Sequence, residues 1–573
     1  MLNLGAQARS FVGEYIRQER LPASYAETVA NYFVPCAQRI QSLVRRHPGV
    51  AVVGINGAQG TGKSTFAGCL AGLLELQGLR VLVLSIDDLY FTRAVRGRLA
   101  KEIHPLLQTR GVPGTHEMEL GQAIIAALRG EPGPTLNEVP RFDKGADDRA
   151  ATGTPFPADG VDLILFEGWC IGAVPQPASA LADPCNALER DHDPDGRWRT
   201  YVNDCLSGTY ADVFGSLDYL LMLKPPGFEM VYQWRGEQEA KLRQRLAEAG
   251  ASAALAMDED ALTFFISHYE RLTRWMLEEM PGRADEVFCI NAEHEYCAHT
   301  LRGDRPVRYL VSTDLDATLL DESYSWQPAR PALEKLAEQG ACLVLNSSKT
   351  VSELLQLAQE MTGSIGMDAP ILVAENGGVL AMPDPAAPQG YRIECLGPSR
   401  SEILAVAHRL RSRHGYRFEG FDDMQPEEVV GHTGLDRDAA VLAMRRQATE
   451  PLLWHDTEAR WAAFSAALNR EGIRAVRGGR FIHLMGDTDK ALGQRMALAR
   501  CEERAPDALW RVIALGDSPN DRGMLDAADI AVVIKNPAHE AVLQPGALLC
   551  LFPPHTGPRA WNEAILSIVE HND

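Results

Sequence analysis

The chain has 573 residues, 46% hydrophobic and 23% charged, which excludes a single small module and a mainly disordered protein and fits three or four domains or two large ones. Lys plus Arg number 56 against 77 Asp plus Glu, and the net charge of −21 disfavours nucleic acid while leaving small anionic substrates open to local cationic clusters. Eleven cysteines without a Cys-x-x-Cys pair argue against a disulfide framework or structural zinc, and the absence of a signal-like or membrane-spanning apolar run makes a cytoplasmic protein without a membrane partner the expectation.

Residues 1–49 read as polar amphipathic helices ending at His47-Pro48-Gly49. VAVVGI then reads as a strand and KSTFAGCLAGLLELQG as a helix, and between them Gly57, Ala58, Gln59, Gly60, Thr61, Gly62, Lys63 and Ser64, followed by Thr65, satisfy the P-loop pattern. Glycines let the backbone close on ATP phosphates, Lys63 is suited to the β/γ-phosphates, and Ser64 to Mg2+. The strands RVLVLSI and VDLILFEGW end in Asp87-Asp88 and Glu167, where open α/β sheets place ligands. Asp87 is read as acceptor of a substrate hydroxyl proton and Glu167 as a residue orienting Mg2+, whereas Asp88 also suits a helix N-cap.

GAQGTGKST, SIDDLYFT, RGVPGTHE, VPRFDKGADDRA, FEGWCIG and WRGEQE, in that order across most of residues 30–295, resemble the P-loop D-glycerate 3-kinases, relatives of uridine kinase and phosphoribulokinase. The resemblance implies ATP-dependent phosphorylation of a primary hydroxyl on a small acid, with Arg110, His116, Arg141 and Lys144 as cationic candidates for the substrate carboxylate or the transferred phosphate. A nucleoside, pantothenate or a sugar phosphate stays open as the acceptor, although RGVPGTHE and PRFDK favour glycerate.

LRGDRPVR, residues 301–308, reads as the interdomain linker, separating a kinase domain at 1–300 from a second domain at 309–573. There the strand–helix rhythm restarts, giving two α/β doubly wound parallel-sheet (Rossmann-like) domains. Asp314 and Asp316 follow the strand YLVSTDLD two residues apart, so one carboxylate can attack phosphorus while the other protonates the leaving oxygen. Ser347 ends the strand ACLVLN and can donate to a phosphoryl oxygen; Lys490 can neutralise nucleophile and phosphate; Asp517 and Asp521 after RVIAL suit Mg2+. The stretch 382–390, MPDPAAPQG, reads as a surface loop.

DLDAT, NSSKT, Lys490 and GDSPND resemble the haloacid dehalogenase-like phosphatases. TDLDATLLD with YSWQPARPAL, LVLNSSKT, AENGGVL, RRQATEPLLW and GGRFIHLMGDTDKA resemble more narrowly the mannosyl-3-phosphoglycerate phosphatases, over about residues 307–555. The resemblance implies Asp314 as nucleophile, Asp316 as acid/base with its backbone carbonyl on the metal, Ser347 and Lys490 as phosphate ligands, and Asp314, Asp517 and Asp521 on Mg2+. Ala317 stands where these phosphatases usually carry glycine. The roughly 140 residues between Ser347 and Lys490 imply an inserted α/β cap at approximately 380–484, with Glu375, Asn376, Arg445, Arg446, Glu450 and the stretch 478–480 as cap or rim candidates.

Together these readings describe a bifunctional enzyme. One part is a glycerate kinase giving 3-phosphoglycerate; the other is a phosphatase of mannosyl- or glucosyl-3-phosphoglycerate, with a separate glycosyltransferase standing between them in the making of a compatible solute. The alternative is that one domain is a catalytically weak regulator of the other.

Overall fold

The computed structural model describes residues 3–248, 258–303, 306–477, 480–538 and 543–570. The chain forms two compact units, residues 10–304 and residues 305–573 together with 1–9.

The first unit is built on a six-stranded sheet in the order Tyr296–Leu301, Glu286–Ile290, Tyr219–Lys224, Ala51–Gly57, Leu163–Gly168, Val81–Ser85, parallel except for the first edge strand. Ala51–Gly57 and Leu163–Gly168 are buried at every residue, as continuous apolar runs in a two-sided parallel sheet must be. The expected N-terminal helices are present as Ala6–Glu19, Tyr25–Thr28 and Val34–Arg46, with a π-turn at Val29–Phe33. Phe33 packs edge-on to Phe66 of the helix Lys63–Leu76 at 4.7 Å between centroids, which joins this segment to the P-loop helix.

The second unit carries a nine-stranded sheet: Asn3–Leu4, Leu549–Leu551, Ile530–Val533, Leu509–Gly516, Val307–Thr313, Cys342–Asn346, Ile371–Ala374, Val379–Pro383, Tyr391–Cys395. The N-terminal residues, expected with the kinase domain, therefore belong to this sheet: Asn3 and Leu4 pair antiparallel with Cys550 and Leu549. A two-residue strand has no apolar periodicity to reveal it. The first unit is thus an insertion between the edge strand of the second unit and its remainder.

The cap also starts later than expected. Val379–Pro383 and Tyr391–Cys395 form an antiparallel hairpin extending the main sheet, because Val379, Leu380, Ala381 and Met382 are buried against its core, and residues 384–390 are the turn between them. The cap proper opens at Ser399, whose hydroxyl and Glu402 form a capping box on the helix Arg400–His414. Its own antiparallel sheet runs Phe418–Gly420, Thr449–Trp454, Ile482–Met485, Arg474–Arg477, covered by Arg400–His414 and Glu458–Arg470 through Ile403, Leu410, Phe464 and Leu468.

Candidate active sites

In the first unit the loop from Gly57 to Gly62 joins the central strand to the helix Lys63–Leu76. Gly60 and Gly62 have φ of 85° and 82°, the left-handed region where glycine carries no Cβ penalty. Gly60 also lies against Trp234, whose ring packs tilted against His294 at 4.2 Å between centroids, and the His294 ring nitrogen Nε2 sits 2.9 Å from the Gly60 carbonyl oxygen. Trp234 and His294 therefore wall the loop. Thr61 Oγ1 donates to Ala58 O at 2.7 Å and fixes the loop from within.

The Ser64 hydroxyl donates to Glu167 Oε1 at 3.2 Å, so the two expected Mg2+ residues meet. Glu167 is 5% exposed and its Oε2 is buried without a partner, an orphaned anionic oxygen that fits a divalent cation at this position. Asp87 lies in a short 3-10 turn, Ile86–Leu89, and accepts from Lys144 Nζ at 2.6 Å. Burial alone would raise the Asp87 carboxyl; Lys144 and then Lys63 outweigh it and hold the group below its usual range, ionised.

The segment 138–155 folds as a stepped hairpin, Glu138–Val139 with Thr154–Pro155 and Phe142–Asp143 with Asp148–Arg149. Asp88 is its anchor, accepting from Arg141 Nη1 at 2.6 Å and Phe142 N at 3.1 Å, and is not the N-cap of a longer helix. This anchoring brings Lys144 to Asp87. Arg110 is ion-paired with Asp147, which buried Arg96 also holds at 3.0 Å. Of the four expected cations, Arg141, Lys144 and Arg110 thus each have a carboxylate partner already.

His116 departs from the expected cationic role. It is 2% exposed and stacks on Tyr90 at 4.5 Å, and burial pushes its pKa down to about 3, so it is neutral. Gly114 N donates to Tyr210 Oη at 3.0 Å, leaving the Tyr210 hydroxyl proton for His116 Nδ1 at 2.6 Å. That chain puts the imidazole proton on Nε2, which is buried without a partner. The group is a hydrogen-bond donor and not a cation.

In the second unit Asp314, Asp517 and Asp521 converge at adjacent strand ends, each offering an oxygen within 4.8 Å of the others, the cluster of metal-ligand type among the described residues. Lys490 begins the helix Lys490–Arg504 and is 3% exposed; its ammonium lies 2.8 Å from Asp314 Oδ1 and 2.6 Å from Asp521 Oδ1. Burial pushes the Asp314 carboxyl up to about 7, against the pull of Lys490 and with Asp521 adding to the rise. Burial would lower the Lys490 pKa, yet the two carboxylates raise it, so it stays charged. Three close carboxylates against one ammonium leave a charge deficit that fits a bound divalent cation.

The three acids are not equivalent. Asp521 Oδ2 accepts from Asp517 N, Ser518 N and the Ser518 hydroxyl at 3.1, 3.0 and 2.9 Å, while its Oδ1 takes Lys490. Its oxygens are committed to holding the loop and the lysine. Asp517 accepts from Thr318 Oγ1 at 2.7 Å and Asn536 Nδ2 at 2.6 Å, one donor on each oxygen. Asp314 and Asp517 are therefore the better direct ligands. Asp316 points outward, 54% exposed, paired with Lys349 at 3.0 Å, and Lys349 also lies over the exposed ring of Tyr324 at 5.2 Å. Ala317, in place of glycine, has φ of 58°, so the loop keeps the left-handed conformation at a steric cost of about 1–2 kcal/mol.

Ser347 is buried at its strand end, where its carbonyl accepts from Asn376 N at 3.0 Å. Glu375, Asn376 and Gly377 have φ of 54°, 55° and 84°, a left-handed turn of three residues. Buried Glu375, expected at the rim, instead accepts from Gln447 N, Ala448 N and Thr449 Oγ1 at 2.7, 3.1 and 2.6 Å and fastens the cap to the core. Asn376 Oδ1 accepts from Asn520 Nδ2 at 2.9 Å beside the acid cluster. Glu450 is 2% exposed and pairs with Arg400 at 2.7 Å, and Arg446 donates to Thr449 Oγ1 at 2.9 Å, so both brace the cap. Arg445 ends the helix Arg437–Met444 as its C-cap, Arg480 donates to the His432 carbonyl, and Gly478 and Gly479 lie outside the described residues. Sequence reading assigned no role to Trp234, Thr318 and Lys349, although they stand in the quoted motifs WRGEQE, DLDAT and NSSKT, and it missed His294 and Asn536, which stand in none.

No family model matches the chain. Among solved structures it is similar to D-glycerate 3-kinase from Cryptococcus neoformans var. grubii, at 23% identity over 47% of this chain and 98% of that one, with a TM-score of 0.38. A haloacid dehalogenase-like hydrolase from Bacteroides thetaiotaomicron is similar at 19% identity over 46% of this chain and 99% of that one, with a TM-score of 0.33. A phosphatase of the same superfamily and organism is similar at 18% identity over 48% of this chain and 97% of that one, TM-score 0.33. No helix among the described residues is long and apolar enough to cross a membrane.

Proposed function

We propose that the chain is a bifunctional enzyme, an ATP-dependent kinase of glycerate and a Mg2+-dependent phosphatase of a glycosyl-3-phosphoglycerate. The observation that carries this reading is that each unit holds its own phosphoryl-handling set at strand ends: the P-loop with Ser64, Glu167 and Asp87, and Asp314 with Lys490, Asp517 and Asp521. The order of the sequence motifs supplies the substrate classes.

In the kinase, the P-loop backbone and Lys63 hold the ATP phosphates, and Ser64 and Glu167 would hold Mg2+, which would supply charge neutralisation there. Asp87 orients the acceptor hydroxyl and takes its proton as the new P–O bond forms and the bond to ADP breaks. A low-pKa carboxylate suffices because a loose transition state demands positioning more than base strength. Lys144, held at Asp87 by the Asp88-anchored hairpin, is placed to meet the anionic acceptor, and Arg110 and Arg141 are proposed to complete its site. His116 is proposed to contribute its neutral Nε2–H to the same site.

In the phosphatase, Asp314 attacks phosphorus and the bond to the glyceryl oxygen breaks, Asp316 giving that oxygen a proton. Water then cleaves the aspartyl-phosphate and returns a proton to Asp316. Lys490 and Ser347 hold the phosphoryl oxygens; Asp314, Asp517 and the Asp316 carbonyl, with Asp521 positioning them, would hold Mg2+, which would supply charge neutralisation. A separate glycosyltransferase would consume the kinase product and supply the phosphatase substrate.

Ala317 at φ 58° favours a second reading, a phosphatase slowed by its strained loop and acting as a regulator. One panel decides among these. The full chain with Mg2+-ATP is offered glycerate, a nucleoside, pantothenate and sugar phosphates, and without ATP is offered mannosyl-, glucosyl- and unmodified 3-phosphoglycerate. Turnover of glycerate, with glycosylated ester hydrolysed in preference to 3-phosphoglycerate, is expected; equal release from all three esters would defeat the pathway assignment.

A further inference from the structure

Cys342 opens the strand Cys342–Asn346 and Cys501 lies in the last turns of the helix Lys490–Arg504. Their Sγ atoms are 3.4 Å apart, the Cys501 thiol donating to Cys342. All eleven cysteines of the chain are free thiols. Cys501 is 2% exposed, whereas Cys342 is only partly buried. The hydrogen bond from Cys501 holds the Cys342 thiol below its usual range against burial, with Arg504 and Arg308 pulling the same way and Asp368 against them, while the same contact pushes Cys501 up. A partly exposed thiol in contact with a buried thiol has the arrangement of an attacking and a resolving cysteine.

We propose that Cys342 and Cys501 form a thiol–disulfide site that takes a low-molecular-weight disulfide as its co-reactant. The Cys342 thiolate attacks one sulfur of that disulfide, forming a mixed disulfide and expelling one small thiolate, which takes up the proton Cys342 released. Cys501, losing its proton to solvent, then attacks the Cys342 sulfur, forming the protein disulfide and expelling the second thiolate, which is protonated in turn. Two protein thiols are oxidised and one small disulfide is reduced to two thiols. The sulfurs must close by roughly 1.3 Å to reach the bond length of about 2.05 Å, within the adjustment of a helix end against a strand start. The bond would join positions 159 residues apart and tie the strand that runs on to Ser347 to the helix that begins at Lys490, the elements on either side of the cap. Neither half of the proposed reaction uses these thiols, so the inference stands whether or not the substrate assignment does.

The test treats the reduced full-length protein with oxidised glutathione, alkylates remaining thiols under denaturing conditions, and reads peptides by mass spectrometry. The exposed Cys185, Cys297 and Cys395 serve as internal comparators. The expected result is a cross-linked Cys342–Cys501 peptide, lighter by two hydrogens and restored by dithiothreitol, while the comparators carry only glutathione. Cys501→Ser should trap Cys342 as a stable glutathione adduct. The proposal is overturned if Cys342 stays free while the comparators react, or if wild-type Cys342 ends as a stable glutathione adduct. The wild-type reading decides even if the variant fails to fold.

Discussion

Replacing Gly377 by alanine strikes the second unit where its backbone is tightest. Gly377 has φ of 84°, so alanine there costs about 1–2 kcal/mol in backbone conformation alone. A Cβ built at this position also enters well inside 3.0 Å of the carbonyl carbon and oxygen of Asp489, an approach real Cβ atoms essentially never show. Backbone cannot rotate away as a side chain can, and overpacking of this kind adds about 1–3 kcal/mol, for a total of about 2–5 kcal/mol. For a unit of this size that is a fall in melting temperature of roughly 10 °C. Asp489 caps the helix begun by Lys490, whose ammonium sits 2.8 Å from Asp314. A retreat of about 1 Å there is expected to lower phosphatase kcat/KM about 100-fold. Phosphate release and ATP-dependent phosphorylation would be measured on the same Gly377→Ala sample, alongside calorimetry, and kinase turnover is expected to hold. Gly366→Ala is the comparator, because its φ of 74° carries the same backbone cost with nothing within 4 Å of the new Cβ. If Gly377→Ala behaves like Gly366→Ala in stability and keeps phosphatase turnover within two-fold, the close-approach argument is refuted.

Lys63→Ala is expected to lower ATP-dependent phosphorylation about 100- to 1,000-fold and spare phosphate release. Asp314→Asn is expected to do the reverse, by about 10,000-fold or more; loss of both activities from either change would contradict independent sites. His116 has its folded pKa depressed to about 3, so the unfolded chain binds the extra proton between there and about pH 6.5. Stability is therefore lost as pH falls through that window, at most about 1.4 kcal/mol per pH unit from this group, and urea unfolding of His116→Asn against wild type at pH 7 and pH 5.5 should show the variant losing less. Mg2+ added to the chelated protein at about 100 times its dissociation constant is expected to stabilise the second unit by about 2.7 kcal/mol, read by calorimetry, and to do so far less in Asp517→Ala.

The features that sequence reading reached are those in which chemistry is contiguous along the chain. The P-loop needs one strand, one turn and one helix, and Asp87, Glu167, Asp314 and Asp517 each follow an apolar run that can only be a strand. What it missed depends on partners brought from afar. His116 is kept neutral by burial, its Nδ1 meeting Tyr210, 94 residues on, and Asn376 meets Asn520 across 144. Glu375 has the composition of a rim residue, yet three donors at 447–449 turn it into a buried fastener. The difference between Asp517, with two donors, and Asp521, with four, is likewise visible only in the fold.

The pairing of Asn3–Leu4 with Leu549–Leu551 sets an order of events during synthesis. At about 5–20 residues per second the edge strand waits roughly 30–110 s for its partner, long enough for residues 10–304 to fold on the ribosome with their leading segment still unclaimed. Docking of that strand is then among the last steps, and it completes the sheet of the second unit. The same arrangement governs attempts to separate the activities. A chain beginning at residue 305 would leave Leu549–Leu551 as an open sheet edge, an invitation to pair with a neighbour, whereas single substitutions silence one site and keep that edge covered.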